Sequence, residues 1–334
     1  MSALVIETTE MHTGGEPVRI VTAGYPPIAG ATILDKRRHA REHLDHLRRL
    51  LIFEPRGHFD MYGVLPVEPD LPGADLAVLF IHNEGYSTMC GHAVIALARW
   101  AVDTGRVPRR EPETHVAIQC PCGLVRARYV TAGPEAGHSR FVSVPAFALA
   151  LDAAVEVPGF GRVTLDLGYG GAFYAVLQAA ALGLDLARSG VAALVEAASA
   201  VTEATRKQIP LEHPDSPDLA FLYGTILTDG GEGRDQPSAN VCVFAEREVD
   251  RSPTGSGVTA RMALLAARGA LAPGETRRFA SLTGAVFTGR VAEATRAGRF
   301  AAVTVEVGGR AFYTGTARFT AEPEDELGKG FLLR

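Results

Sequence analysis

Two stretches of the chain carry apolar and polar positions in the same order. Residues 76–83 (LAVLFIHN) form an apolar run of strand length, a polar turn follows, and residues 93–102 (AVIALARWAV) read as a helix ending near Gly105. Residues 240–247 (NVCVFAER) predict a second strand, and residues 257–268 (GVTARMALLAAR) a second helix that stops at Gly269. A shift of 164 residues lays Phe80 on Phe244, Cys90 on Thr254, Gly91 on Gly255 and Gly105 on Gly269. A looser echo joins Gly14-Gly15 in MHTGGEPVRI to Gly170-Gly171 in LGYGGAFYAV, each a glycine pair before a strand-like segment. That echo has an offset of 156, so an insertion separates the two matches, and the extended loop at 229–240 (DGGEGRDQPSAN) can supply it.

The pattern is that of a duplicated α/β unit, and 334 residues suit two domains better than one core. We expect a first domain over 1–147, with a return of about 311–334, and a second over 148–310. A two-fold repeat sets corresponding elements on opposite sides of a shared cleft, and ligands favour such places. A duplication that serves packing alone is the simpler alternative, but it would need only one capping residue at each helix start. Both starts here are polar and rich in glycine.

Composition narrows the function. Hydrophobic residues make up 47% and charged residues 21%, an ordinary globular balance, and the net charge of -5 sets up no field that would recruit nucleic acid or an anionic membrane. The cluster Lys36, Arg37, Arg38, Arg41, Arg48, Arg49 is interleaved with Glu42 and Asp45 and reads as a solvated helix face. No apolar stretch is long enough to span a membrane, and Met1 to Met11 lacks the profile of a signal peptide, so a cytoplasmic protein is expected. Four cysteines in a chain of this size point to reduced thiols. Cys120-Pro121-Cys122 lacks the second close pair that a structural zinc site would need, so no metal is expected.

The two helix starts carry the candidate chemistry. A helix N-terminus presents unpaired N–H groups and a partial positive charge, so it binds a carboxylate and lowers the pKa of a thiol placed there. Cys90, between Ser87-Thr88 and Gly91-His92, has that setting; the competing role is a small buried apolar residue. Cys242 lies in a strand-like run and is assigned to packing. His92 falls in the first turn, where the field keeps the ring neutral, and either takes part in proton transfer or positions its neighbours. Asp250 lies on the turn entering the second helix, where it can meet a substrate ammonium or simply close the turn.

MHTGGEPVRI at 11–20, MCGHAVIAL at 89–97, YGGAFYA at 169–175 and DRSPTGSG at 250–257 together resemble the proline racemase family, in order and over nearly the whole chain. The resemblance implies a diaminopimelate-epimerase-like α/β (α+β) fold. That fold has two pseudo-symmetric domains, each wrapping a sheet around a central helix, with a cofactor-independent active site in the cleft between them. Racemases and epimerases of the family carry a cysteine at each helix start; here the first is Cys90 and the second position holds Thr254. An alcohol is a poor acid or base at physiological pH, so two-base racemisation is disfavoured. The Cys/Thr pairing is similar to that of trans-3-hydroxy-L-proline dehydratases in the family. It implies loss of the α-proton to Cys90, loss of the neighbouring hydroxyl and formation of Δ1-pyrroline-2-carboxylate.

By the same resemblance, the N–H groups of Gly91, His92, Gly255 and Ser256 hold the substrate carboxylate, Asp250 takes the ring ammonium, and Phe244 walls the pocket. Phe80 is favoured as core. The implied partner is a cyclic imino acid, and a homodimer is compatible with the sequence. A racemase or 4-hydroxyproline epimerase, and a silent amino-acid-binding protein of the same fold, are the alternatives.

Overall fold

The computed structural model describes residues 4–245 and 247–333. The chain divides into two compact units: Met1–Ser139 with Arg310–Arg334, and Arg140–Gly309.

In the first unit, β1 (Leu4–Thr13) and β2 (Glu16–Ala23) form a hairpin. After α1 (Ile33–His43) and α2 (Asp45–Ile52), β3 (Gly63–Val67) lies parallel to β2 and antiparallel to β4 (Leu76–Ile81). The short β5 (Tyr86–Ser87) leads to α3 (Gly91–Asp103). Next comes the antiparallel pair β6 (Glu113–Cys120) and β7 (Gly123–Val130), with β6 parallel to β4. A parallel neighbour needs a crossover, and α3 is the one between β4 and β6. It is buried from Gly91 through Ala98 and again at Trp100, Ala101 and Val102, which explains why its sequence is apolar almost all round. Trp100, the chain's one tryptophan, is 1% exposed, with the Arg106 guanidinium 4.5 Å above its ring.

β8 (His138–Val142) runs into the second unit, where the same order of elements recurs. β9 (Ala146–Val157) pairs with β10 (Gly161–Tyr169), which turns tightly into β11 (Phe173–Gln178). After α4 (Val191–Gln208), β12 (Leu222–Thr228) lies parallel to β11 and antiparallel to β13 (Ser238–Phe244). β14 (Glu248–Asp250) leads into α5 (Gly255–Ala267), and β15 (Thr276–Ala280) returns parallel to β13. β16 (Val286–Ala297) and β17 (Phe300–Ala321) follow as antiparallel neighbours, and Ala302 and Val303 of β17 pair back onto β9. The strands of this unit therefore close around α5, which is buried from Gly255 to Leu264. β17 then continues past Arg310, and its residues Ala311–Ala321 pair with β1.

The mixed α/β class and the sheet wrapped round a helix agree with the sequence expectation. The strand expected at 76–83 is β4, and the one expected at 240–247 is β13, which ends at Phe244; Glu246 lies outside the described residues. Both predicted helices stop as expected, with Gly105 and Gly269 just beyond them at φ 71° and 68°, the left-handed turn that glycine makes without a Cβ penalty.

Both glycine-containing turns lie beside a helix start. In the second unit the β10–β11 turn lies on the first turns of α5: a Cβ at Gly170 would come within 2.1 Å of the Ser256 carbonyl oxygen and 2.6 Å of the Ala260 nitrogen. In the first unit the β1–β2 hairpin meets the start of α3, where Thr13 Oγ1 donates to the His92 carbonyl at 2.9 Å. The second hairpin meets its helix by close backbone approach at Gly170, the first through the Thr13 hydroxyl.

The basic cluster requires a correction. The helical segment breaks at Leu44, and Lys36 and Arg48 are buried while Arg41, Glu42 and Arg49 stay exposed. Lys36 Nζ donates to the Glu68 carbonyl at 2.6 Å; Arg48 Nη1 donates to the carbonyls of His82 and Asn83 while its other nitrogens grip Asp45. Loop carbonyls left outside the sheet need donors, and these two long side chains reach them.

Candidate active site

Cys90 is the N-cap of α3. Its backbone is extended (φ −146°, ψ 106°), as N-caps usually are, and its Sγ accepts the Ala93 N–H at 3.4 Å. The sulfur therefore lies on the positive end of the helix. The His92 ring turns back on it, with Nδ1 at 3.2 Å and Nε2 at 3.5 Å from Sγ. Cys90 and His92 are 4% and 3% exposed, so any charge that develops on the sulfur does so beside a fixed hydrogen-bonding ring and largely out of water.

The other cysteines behave differently. Cys120 ends β6 and Cys122 lies in the turn to β7, whose N–H donates to the Thr88 carbonyl at 3.1 Å. Burial pushes the Cys122 thiol up to about 12 and the Cys120 thiol well above the ordinary range, so both remain protonated at neutral pH. Cys242 is buried within β13.

In the second unit β14 ends on Asp250, whose Oδ1 accepts the Ser252 N–H at 2.7 Å, and Ser252 Oγ accepts the Thr254 N–H at 3.1 Å. Asp250 thus closes the turn into α5, as its simpler role required. Thr254 is the N-cap of α5, but in a left-handed conformation (φ 65°, ψ 93°) and with no side-chain bond to its helix. A β-branched residue is an outlier there, at a cost of order 1–3 kcal/mol. Its Oγ1 is buried and finds no hydrogen-bond partner among the described residues. Thr254 thus combines a strained backbone with a buried hydroxyl left unpaired among the described residues.

Around Thr254, Ser256 Oγ shares a hydrogen bond of 2.7 Å with Tyr174 Oη, and Phe244, at the end of β13, stacks on Tyr223 at 5.2 Å between ring centroids. Gly257 is closely surrounded: a Cβ there would meet Ile226 Cδ1 at 2.6 Å and Thr254 Cγ2 at 3.0 Å. Phe80 is fully buried in β4, its ring centroid 6.5 Å from that of Tyr62. Of the candidate residues, Cys90, Gly91 and His92 lie at the start of α3 and Thr254, Gly255 and Ser256 at that of α5; Asp250 ends β14 just before it, and Phe244 ends β13, linked to Ser256 through Tyr223 and Tyr174. Sequence reasoning missed Tyr62, Tyr174 and Tyr223. Tyr174 lay within the YGGAFYA motif and could have been found; the other two are brought in by tertiary packing alone.

Two helix starts of this construction in a duplicated, helix-centred sheet define a class, and residues 8–332 match the family described as proline racemase. The chain belongs to that family. It is 55% identical to the trans-L-3-hydroxyproline dehydratase of Xenopus tropicalis, over 99% of this chain and 96% of the relative. It is 47% identical to the 3-hydroxyproline 2-epimerase of Burkholderia multivorans, over 98% of each. Among solved structures, a hydroxyproline epimerase from Agrobacterium vitis with bound trans-4-hydroxy-L-proline superimposes with a TM-score of 0.91 at 28% identity, covering 99% of this chain and 96% of the other.

Proposed function

We propose that this protein is a hydro-lyase that converts trans-3-hydroxy-L-proline to Δ1-pyrroline-2-carboxylate and water, with no cofactor supplying a step. The observation that carries the reading is the unlike pair of helix starts: a capping thiol at Cys90 and an uncapped hydroxyl at Thr254. In the trans substrate the 3-hydroxyl is opposite the carboxylate, on the same ring face as the α-hydrogen, so one base on that face serves both bonds. Cys90 takes the α-proton; the electron pair forms the Cα–Cβ double bond as the hydroxyl leaves with a proton as water. The resulting enamine then tautomerises to the imine. His92, in contact with Sγ, is well placed to pass the proton to the departing oxygen.

The first N–H groups of α3 and α5, at Gly91, His92, Gly255 and Ser256, hold the carboxylate and stabilise the charge that grows on it as the proton leaves. Asp250 takes the ammonium, and Phe244 shields the ring from water. Among the described residues the four cysteines form no disulfide and no helix is long and apolar enough to cross a membrane. The free thiols favour residence in the reducing cytoplasm.

The name of the Burkholderia multivorans relative favours a second reading, epimerisation at the α-carbon. Incubation with trans-3-hydroxy-L-proline, L-proline and trans-4-hydroxy-L-proline separates the two. A cyclic imine from the first compound alone is expected; inversion of any of the three without imine would overturn the dehydratase reading.

A further inference from the structure

One buried aromatic side chain touches the Cys90–His92 pair and has no part in the reaction just described. Tyr62 precedes β3, and its ring meets that of His92 edge-on, with 4.8 Å between centroids and 73° between planes. On its other side it stacks on His82 at 5.8 Å and 22°. Tyr62 Oη is hydrogen-bonded to Ser87 Oγ, and Ser87 is the partner of Phe80 across β4 and β5, so the phenol is fixed to the strand that feeds the helix start. The Tyr62 carbonyl accepts the Arg19 N–H at 3.0 Å, and Arg48 holds the carbonyl of His82. Tyr62, His82, Ser87 and His92 are all at most 3% exposed.

We propose that Tyr62 is a positioning residue for the base: its ring holds the His92 imidazole against Cys90 Sγ, and its bond to Ser87 holds the ring. The kinetic consequence rests on the reading of Cys90 as the base; the geometric one does not. An imidazole can swing about two side-chain torsions, and a neighbouring ring packed on it removes that freedom. A displacement of about 1 Å at a reacting pair costs up to about 100-fold in rate.

The test measures, for each variant of the full chain, the rate at which iodoacetamide labels Cys90 at pH 7.5, read by mass spectrometry of the Cys90 peptide, beside kcat and KM. Cys120 and Cys122, with their raised thiols, serve as slow internal references. For Tyr62→Leu the Cys90 labelling rate and kcat should both change, kcat falling by about 10- to 100-fold while KM stays within about 3-fold. Tyr62→Phe and Ser87→Ala remove the same hydrogen bond, so each should lower kcat by about 3-fold and the double variant no further. A purely structural role would lower the melting temperature yet leave the labelling rate of folded protein unchanged, and that result with Tyr62→Leu overturns the proposal. Should Tyr62→Leu not fold, labelling in Tyr62→Phe and Ser87→Ala indistinguishable from wild type overturns it equally. If the wild-type protein dehydrates none of the substrates, the kinetic readings vanish for every form while the labelling comparison still decides.

Discussion

The start of α3 and the start of α5 descend from one pattern and have been put to different use. At α3 the N-cap is extended and its sulfur accepts a helix N–H, so Cys90 is held by the helix it begins. At α5 the N-cap is left-handed, its hydroxyl caps nothing, and the turn is closed by Asp250 and Ser252 instead. The contrast teaches that the two halves differ in backbone as well as in the side chain at the equivalent position. At α5 the side chain of residue 254 caps nothing, which leaves its hydroxyl uncommitted at a cost in strain.

The largest expected effect lies on the α3 side. Cys90→Ser should lower dehydration by at least about 10²- to 10⁴-fold, the usual loss for a positioned acid or base, with the fold intact by circular dichroism. Retained turnover in the imine assay would remove Cys90 from its role. On the other side, Thr254→Cys supplies the second thiol. Deuterium from solvent should then enter the α-carbon of proline with inversion, visible by NMR, while dehydration persists. Collapse of dehydration in that variant would make the Thr254 hydroxyl an essential acid and reverse the comparison.

A smaller effect probes the support of α5. Gly170→Ala places a Cβ against the Ser256 carbonyl and should destabilise the protein by about 1–3 kcal/mol, read from urea unfolding, because backbone and not a flexible side chain must give way. The smallest concerns pH. His213 packs on Tyr169 at 4.6 Å, next to the same hairpin, and burial lowers its pKa from 6.5. Its neutral form favours the folded state, so its contribution is complete above pH 6.5 and fades as pH falls through the lowered value. Because the ring is only partly buried, the effect should be slight: the melting temperature should drop on acidification a little less in His213→Phe than in wild type.

Much of this is legible in the sequence. The register that laid Cys90 on Thr254 also fixed α3 and α5, because a fully buried helix flanked by glycine and preceded by an apolar strand leaves a trace in sequence at every level. The glycine pairs are visible too, although the need for Gly170 is not: the Ser256 carbonyl beneath it supplies the reason. The left-handed backbone of Thr254 was illegible, since its β-branched side chain argues against that conformation and the surrounding turn imposes it. Lys36 and Arg48 misled for a related reason: charge periodicity speaks of one helix face, whereas their burial is set by carbonyls more than thirty residues away in sequence.

Trp100 turns the division of the chain into something that can be watched. As the one tryptophan, fully buried on α3, it gives a fluorescence signal that belongs to the first unit alone. Followed in urea beside the far-ultraviolet dichroism of the whole chain, it will reveal whether the duplicated halves melt in one cooperative step or in two.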